Sequence, residues 1–350
     1  MKIAVLLFGQ PRFWDITKEL ILEEFDLPGH EVHFYAHFWK NIGYTPAGEE
    51  ENYDTEAMYT SLRQAPQFSF NKSFKNIVIE DYTKLYEVCD HMSYFSTQLH
   101  NRPMVIGGKG KQDKWLVYKF GQHVSIRQGF KKIIQYEKQE NFKYDIIIKT
   151  RTDIVYKPKV VYSTGQEYYE AKDKYYTDLK FDIPSIRCTA LRFVDSTNKS
   201  KDFNCTNENV HVRSFYNNQF KIENSDTWLE YPDTNYYNRI CYNDWTLISN
   251  RAAAEIILFN WFENYFLTLS KDIKNNKTTR LLISESEHAI QGQFLINNPI
   301  YANRVYKRRD IRLLHPTNIK DNVDLYGKIL AENTGQIRKD LVKRFKGTNR

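Results

Sequence analysis

Short apolar runs alternate with amphipathic stretches along the amino-terminal half of the chain. Residues 3–8 form a continuous apolar run, which predicts a strand covered on both faces. Residues 32–39 and 76–80 predict two more strands. Between the first two runs, residues 14–25 have a helical pattern, and the break that follows contains Pro28.

A long helix is predicted over residues 114–140, because Ile126, Phe130 and Ile133 fall on one face. It leads into residues 144–149, with the sequence YDIIIK, which predict a fully buried strand. Strands that alternate with helices predict an α/β fold, in which a mostly parallel sheet is flanked by helices.

The second half of the chain has a different pattern. Residues 157–240 contain short apolar runs and no long helical period, so they predict an insertion of short strands and loops beside a ligand cleft. Helical periodicity returns after Asn250, where Ile257 shares a face with later aromatic residues. A further helix is predicted over residues 285–296, and a basic helix or tail begins near residue 318.

Composition limits the classes of function. The 350 residues are 41% hydrophobic and 27% charged, as is typical of a soluble protein. Aromatic residues make up 15%, which reflects either a codon bias or rings that stack on sugars or bases. The net charge of +7 favours anionic ligands such as nucleoside diphosphates, anionic glycans or a membrane surface. No basic stripe interleaved with aromatics recurs, so nucleic-acid binding is the weaker alternative.

No segment predicts export or a membrane span. Residues 1–8 are too short for either and lack a cleavage site, and no later run approaches the length of a span. We therefore expect a cytoplasmic protein. The four cysteines form no CxxC pair, which predicts free thiols and no zinc site; they are Cys89, Cys188, Cys205 and Cys241.

The strongest chemical signal is the sequence KTRTD, which begins at the end of the strand predicted over residues 144–149. Ligands of open α/β sheets bind outside the carboxyl ends of the strands. Asp153 is suited there to hold Mg²⁺ or Mn²⁺, and Arg151 to bind phosphate. The alternative is that the two form a surface ion pair. After the first strand, Gly9 would let the backbone approach a ligand and Arg12 would reach a phosphate, unless the segment is a plain turn.

Four segments together resemble one family. The sequence YDIIIKTRTD resembles the R-x-D segment of GT-A-like glycosyltransferases from bacteria and large viruses, where it occupies the place of the DxD motif. The turn Gly9-Gln10-Pro11-Arg12 resembles the family's G-Q-x-R turn. Residues 33–39, HFYAHFW, resemble its second strand with the H-x-W ending, and residues 122–125, QHVS, resemble its Q-x-x-S helix segment.

The resemblance implies a GT-A fold and transfer of a sugar from a nucleotide-sugar donor to a glycan or other hydroxyl acceptor. Residues 1–317 would form the catalytic domain, with a donor half over 1–156 and an acceptor half over 157–317. The basic segment 318–350 would be a helix or tail able to contact a membrane surface. The implied donor-binding residues are Gly9, Gln10, Arg12, Gln122, Arg151 and Asp153.

Mn²⁺ or Mg²⁺ is the implied cofactor, with Asp153 and His315 as ligands. His315 is alternatively a structural histidine near a strand end. Arg151 stands where a DxD motif has its first carboxylate, which leaves Asp153 as the only carboxylate of the motif. A nucleotide- or carbohydrate-binding protein without turnover is therefore the alternative function.

Two acidic residues are candidates for the catalytic carboxylate. Asp244 precedes a predicted helix and resembles the family's residue that faces the acceptor, where it would take a proton from the hydroxyl. Alternatively it is a turn or helix-capping residue. Glu287 resembles a later acidic residue of the family, but Ser284 and Glu287 also fit a capping box, which is the simpler interpretation.

Overall fold

The structure is a computed structural model, and it describes residues 1–11, 14–39, 41–44, 50–52, 72–80, 112–158, 162–188, 191–194, 200–201, 212–216, 219–222, 228–230, 239–242, 245–260, 301–304 and 309–313. Within these ranges, no helix is both long enough and apolar enough to cross a membrane.

Ten of the described strands form one large sheet. In chain order they are β1 (Lys2–Gly9), β2 (Glu31–Trp39), β5 (Lys72–Glu80), β6 (Ile146–Thr150), β8 (Ser185–Cys188), β11 (Val212–Tyr216), β12 (Gln219–Ile222), β13 (Trp228–Glu230), β15 (Thr246–Asn250) and β16 (Tyr301–Arg304). Across the sheet their order is β13-β12-β11-β16-β8-β15-β6-β1-β2-β5.

The remaining described strands form three small sheets. In the first, β3 (Asn41–Tyr44) pairs with β4 (Glu50–Asn52). In the second, β9 (Leu191–Val194) lies between β10 (Ser200–Lys201) and β14 (Arg239–Tyr242). In the third, β7 (Ile154–Pro158) pairs with β17 (Arg309–Leu313). The described helices are α1 (Trp14–Glu24), α2 (Gln112–Gln139), α3 (Gly165–Thr177) and α4 (Arg251–Ala254), which continues as a π-helical turn, Glu255–Asn260.

In the amino-terminal half, the strands β1, β2, β5 and β6 of the large sheet are parallel and follow a simple order. β1 pairs in parallel with β2 on one side and with β6 on the other, and β2 pairs in parallel with β5. The chain therefore builds outward from β1 through β2 to β5 and then returns to the opposite side of β1 as β6. Beyond β6 the sheet is mixed, because β15 is antiparallel to both β6 and β8. The predicted α/β class is confirmed, with parallel pairing concentrated in this half.

Helices cover both faces of the sheet, as the unbroken apolar runs predict. On one face, Ile21 of α1 shares a buried cluster with Val5 and Ile148. On the other face, Phe130 of α2 shares a second cluster with Leu6. All five side chains are fully buried, and the predicted apolar face of the long helix is thereby confirmed.

The prediction that residues 157–240 hold only short strands and loops is wrong for α3. This helix starts at the N-cap Thr164, whose hydroxyl accepts a hydrogen bond from the Glu167 amide. Its buried side is made of Tyr175, Tyr176 and the long stem of Lys172 rather than a stripe of aliphatic residues. A helix with this composition lacks the apolar period that predicts helices from sequence.

Candidate functional site

The carboxyl ends of the parallel strands meet at one edge of the sheet, as they must when strands run in the same direction. We call this edge the carboxyl edge. β1 ends there at Gly9, β2 at Trp39, β5 at Glu80 and β6 at Thr150. Between β1 and β6 the order of strands reverses, so a crevice at the carboxyl edge is expected beside Gly9 and Thr150.

The turn after β1 is held by a serine on α2. Gly9 has a φ of +91°, a left-handed conformation that favours glycine, and a Cβ built there would meet no atom within 4 Å. Its amide donates a 2.8 Å hydrogen bond to Ser125 Oγ, and the Ser125 hydroxyl donates a 2.6 Å bond to the His37 carbonyl. Ser125 thereby ties the ends of β1 and β2 to the long helix.

The Ser125 hydroxyl has a single proton, which fixes the role of the His37 ring. Because that proton goes to the His37 carbonyl, the 3.1 Å contact between His37 Nδ1 and Ser125 Oγ requires Nδ1–H to donate. His37 Nε2 then lies 3.4 Å from a Glu80 carboxylate oxygen. In a hydrolase triad the imidazole accepts the serine proton, whereas here it donates to Ser125, whose own proton goes to the His37 carbonyl. Ser125 is also fully buried, so it serves as a clamp rather than a nucleophile.

Thr152 joins the segments that follow β6 and β1. Its hydroxyl donates a 3.2 Å hydrogen bond to the Gln10 carbonyl, and its own carbonyl accepts one from the Thr17 hydroxyl of α1. Both threonines are fully buried. The two loops at the crevice are thus fixed to one another and to the first helix.

Arg151 and Asp153 form a bidentate ion pair at the crevice. Arg151 Nε donates to Asp153 Oδ1 at 2.8 Å, and a terminal nitrogen of the same guanidinium donates to Oδ2 at 2.6 Å. The Asp153 side chain is 3% exposed and the Arg151 side chain 20% exposed. The ion pair that the sequence offered as an alternative therefore exists, but its carboxylate is buried rather than on the surface.

Three hydroxyl groups contact one another at the end of β6. Tyr156 OH lies 2.7 Å from Thr246 Oγ1 and also contacts Thr150 Oγ1. Burial raises the pKa of Tyr156 well above its usual range, so the phenol stays protonated and able to donate. Thr246 begins β15 and pairs with Thr150, so Trp245, which precedes it, enters the sheet at the carboxyl edge.

The helix cap after β15 is Asn250. Its side-chain oxygen accepts a 2.9 Å hydrogen bond from the Ala253 amide. Residues from Thr246 to Asn250 are a strand, so the expectation that a helix directly follows Asp244 is wrong, and the capping role belongs to Asn250. Asp244 itself lies outside the described residues.

The pairing of β17 with β7 returns a late part of the chain to the crevice. Leu313, the last residue of β17, pairs with Ile154, the residue directly after Asp153. His315 follows two positions later in the sequence and lies outside the described residues. Arg12 and Glu287 also lie outside them, whereas Gln122 is on α2 and half-buried, one helical turn before Ser125.

The described residues do not by themselves form a metal site. Among them, no group of three or more histidine, cysteine, aspartate or glutamate side chains is placed to hold a metal ion. Asp153, the ligand implied by the sequence resemblance, directs both carboxylate oxygens at Arg151. A divalent cation at Asp153 would therefore compete with the guanidinium for the same two oxygens of a nearly buried carboxylate.

Sequence reasoning did not assign roles to three residues at this site. Ser125 was part of the Q-x-x-S segment, but its role as the clamp of Gly9 depends on contacts across 116 positions. Thr152 gave no signal besides its place between Arg151 and Asp153. Lys149 is buried, with its ammonium 5.1 Å from the centre of the Phe8 ring, and an apolar strand pattern predicts no charge there.

No protein-family model matches the chain, and no curated protein matches it at a significant level.

Proposed function

We propose that this protein is a glycosyltransferase with a GT-A fold, which binds a nucleotide-sugar donor at the crevice between β1 and β6. The observation that carries the proposal is the hydrogen bond from the Thr152 hydroxyl to the Gln10 carbonyl. It joins the two segments whose sequences resemble the family's donor-site motifs, and it does so at the strand-order reversal where ligands of open α/β sheets bind.

The strand order favours a single nucleotide. Across the sheet these strands lie in the order β5-β2-β1-β6. Numbered by their order in the chain, this is 3-2-1-4, the order with which a dinucleotide-binding sheet also begins. That sheet continues with a second parallel mononucleotide-binding half. Here the strand next to β6 is the antiparallel β15, so the second half is missing from this position. A donor with one nucleotide and a sugar suits this arrangement better than a dinucleotide.

Sugar transfer from such a donor releases a nucleoside diphosphate, whose negative charge grows as the bond to the sugar breaks. Cationic donors placed before the reaction lower this barrier. Arg151 lies at the crevice and Arg12 follows the Gly9 turn in sequence, so both are proposed as diphosphate ligands. Asp244 precedes the strand that enters at the same edge, and it is proposed to accept the proton of the acceptor hydroxyl.

A thermal-shift screen tests the proposal. The chain is melted with a panel of nucleoside diphosphates and their sugar conjugates, each with EDTA and with Mn²⁺. A ligand at 100 times its Kd should stabilise the native state by about 2.7 kcal/mol, so the correct base should stand out. If no member of the panel raises the melting temperature, the proposal is wrong. A donor that binds but is neither transferred nor hydrolysed would instead indicate the binding protein without turnover.

A further inference from the structure

The Arg151–Asp153 pair presents its two members unequally. The Asp153 side chain is 3% exposed and its two carboxylate oxygens accept hydrogen bonds from the guanidinium, whereas the Arg151 side chain is 20% exposed. Arg151 is therefore the more accessible member of the pair. This is the reverse of what a metal-binding aspartate needs, because such a carboxylate must turn its oxygens toward the cation and the phosphates.

The side-on geometry also fixes the guanidinium plane. Two parallel hydrogen bonds, from Nε at 2.8 Å and from a terminal nitrogen at 2.6 Å, hold the fork in one orientation. A guanidinium is always charged and matches the spacing of phosphate oxygens. An arginine that is oriented before the ligand arrives loses less conformational freedom on binding, which strengthens the contact.

The loop that holds this pair is anchored by buried hydrogen bonds. Thr152, between the two residues, is fully buried and bonded to Gln10 and Thr17, which belong to the segment after β1 and to α1. Opening the pair to expose Asp153 would have to work against these contacts. The described residues around it add no further cluster of metal-ligating side chains.

We propose that Asp153 is a positioning residue that orients Arg151, and that Arg151 binds the diphosphate of the donor without a divalent cation. This inference rests on the proposed function, since it assumes that a nucleoside diphosphate enters the crevice. It differs from the expectation drawn from the sequence resemblance, in which Asp153 holds Mn²⁺ or Mg²⁺.

The first test uses the unaltered chain. Calorimetric titrations with UDP, GDP, ADP and CDP are run in EDTA and again in Mn²⁺. The expected result is that at least one of them binds with Kd values that agree within about threefold between the two conditions. Binding that is at least tenfold tighter in Mn²⁺ overturns this inference but leaves the proposed function standing. Absence of binding in both conditions overturns both.

Three variants separate the two roles of Asp153. Arg151→Ala should weaken binding in EDTA by about ten- to a hundredfold, as expected for a lost charge-assisted contact, and Arg151→Lys should recover part of the loss. Asp153→Asn should weaken binding by the same factor in EDTA and in Mn²⁺, because it disturbs the orientation of Arg151 in both. If Asp153→Asn affects only the Mn²⁺ titration, Asp153 is a metal ligand and the inference is wrong.

A matched control removes one positive charge elsewhere. Lys143 is exposed in the turn before β6, at the opposite end of that strand from Arg151. Lys143→Ala changes the net charge as Arg151→Ala does and should leave every Kd within about twofold. If it weakens binding as much as Arg151→Ala, long-range charge rather than a positioned guanidinium explains the effect, and the inference is overturned. Melting curves confirm that each variant is folded before titration.

Discussion

The amide of Gly9 donates a 2.8 Å hydrogen bond to the hydroxyl of Ser125, which lies 116 positions later in the chain. Gly9 ends the first strand and Ser125 belongs to the long helix that covers that strand. The same hydroxyl donates to the His37 carbonyl near the end of the second strand. One buried oxygen therefore sets the geometry of the turn at which we propose the donor binds.

Replacing Ser125 should reduce both stability and ligand binding. Ser125→Ala leaves the Gly9 amide, His37 Nδ1–H and the His37 carbonyl without this partner, which should lower the free energy of unfolding by about 2–3 kcal/mol. Since the turn after β1 is then free to move, the nucleoside diphosphate should also bind several-fold more weakly. Denaturant unfolding and calorimetric titration measure the two effects separately.

Ser249→Ala is the matched control for this prediction. Ser249 is equally buried, but it lies within β15 and donates one 3.0 Å hydrogen bond to the Ile147 carbonyl, away from the carboxyl edge. We expect it to cost about 1 kcal/mol of stability and to leave ligand binding unchanged. Equal losses of binding in the two variants would show that Ser125 acts only through general stability.

Two glycines allow backbone strain to be separated from function. Gly9 and Gly29 have φ values of +91° and +83°, and a Cβ at either position would meet no atom within 4 Å. Alanine should therefore cost about 1–2 kcal/mol at each position through backbone strain alone. Only Gly9→Ala should weaken nucleoside diphosphate binding, because Gly29 lies in the turn before β2 at the other end of the sheet. A loss of binding in both variants, or in neither, would contradict the donor site at Gly9.

The amino-terminal half of the fold was predictable because its signals are local. Residues 3–8 are a continuous apolar run, residues 32–39 are apolar or aromatic except for two histidines, and the long helix has a clear apolar face, so each element appears within ten residues of sequence. β5 begins at Lys72, whereas the apolar pattern predicted a start at residue 76. The earlier part of the strand was missed because its first residues are polar. These elements need no knowledge of distant partners.

Most of the contacts that build the site were not predictable, because they join residues that are far apart in the sequence. The pair of Thr152 with Gln10 spans 142 positions, and no pattern near either residue indicates the other. For Arg151 and Asp153 the local pattern supports an ion pair and two separate ligand contacts equally. Only the geometry of the side chains distinguishes these arrangements. The helix α3 was missed because tyrosine rings and a lysine stem form its buried side.

The stability of the fold should fall as the pH is lowered through the range in which His33 is protonated in the unfolded chain but neutral in the folded chain. Burial, followed by the charge of Lys75, lowers the pKa of His33 from 6.5 to about 4. Its Nδ1 lies 2.6 Å from Tyr144 OH, and Nε2 lies 2.9 Å from a Glu31 oxygen. Between pH 6.5 and 4 the unfolded chain binds a proton that the folded chain does not, so stability decreases as pH falls through this window.

The variant His33→Gln tests this assignment. It should be less stable than the unaltered chain at pH 7.5, because the contacts with Tyr144 and Glu31 are disturbed. Its disadvantage should shrink by about 1–2 kcal/mol at pH 4.5, allowing for screening by solvent around the exposed Glu31. Unfolding free energies at both pH values are compared, and a difference that stays constant with pH would assign the acid sensitivity to other groups.

The final prediction concerns Asp244, the proposed base. Trp245 leads directly into β15, whose first residue, Thr246, pairs with Thr150, so this part of the chain enters the sheet at the carboxyl edge beside Arg151. Since Asn250 caps the following helix, a loss of activity in Asp244→Asn cannot be attributed to a lost helix cap at Asp244.

If Asp244 takes the acceptor proton, Asp244→Asn should lower the rate of transfer by about 10²–10⁴-fold. Nucleoside diphosphate binding should be preserved, because the proposed diphosphate contacts lie on Arg151 and Arg12. Single-turnover transfer and calorimetric Kd values measure the two quantities, with Glu287→Gln as the comparison variant. Full activity in a folded Asp244→Asn protein, together with a large loss in Glu287→Gln, would transfer the role of base to Glu287.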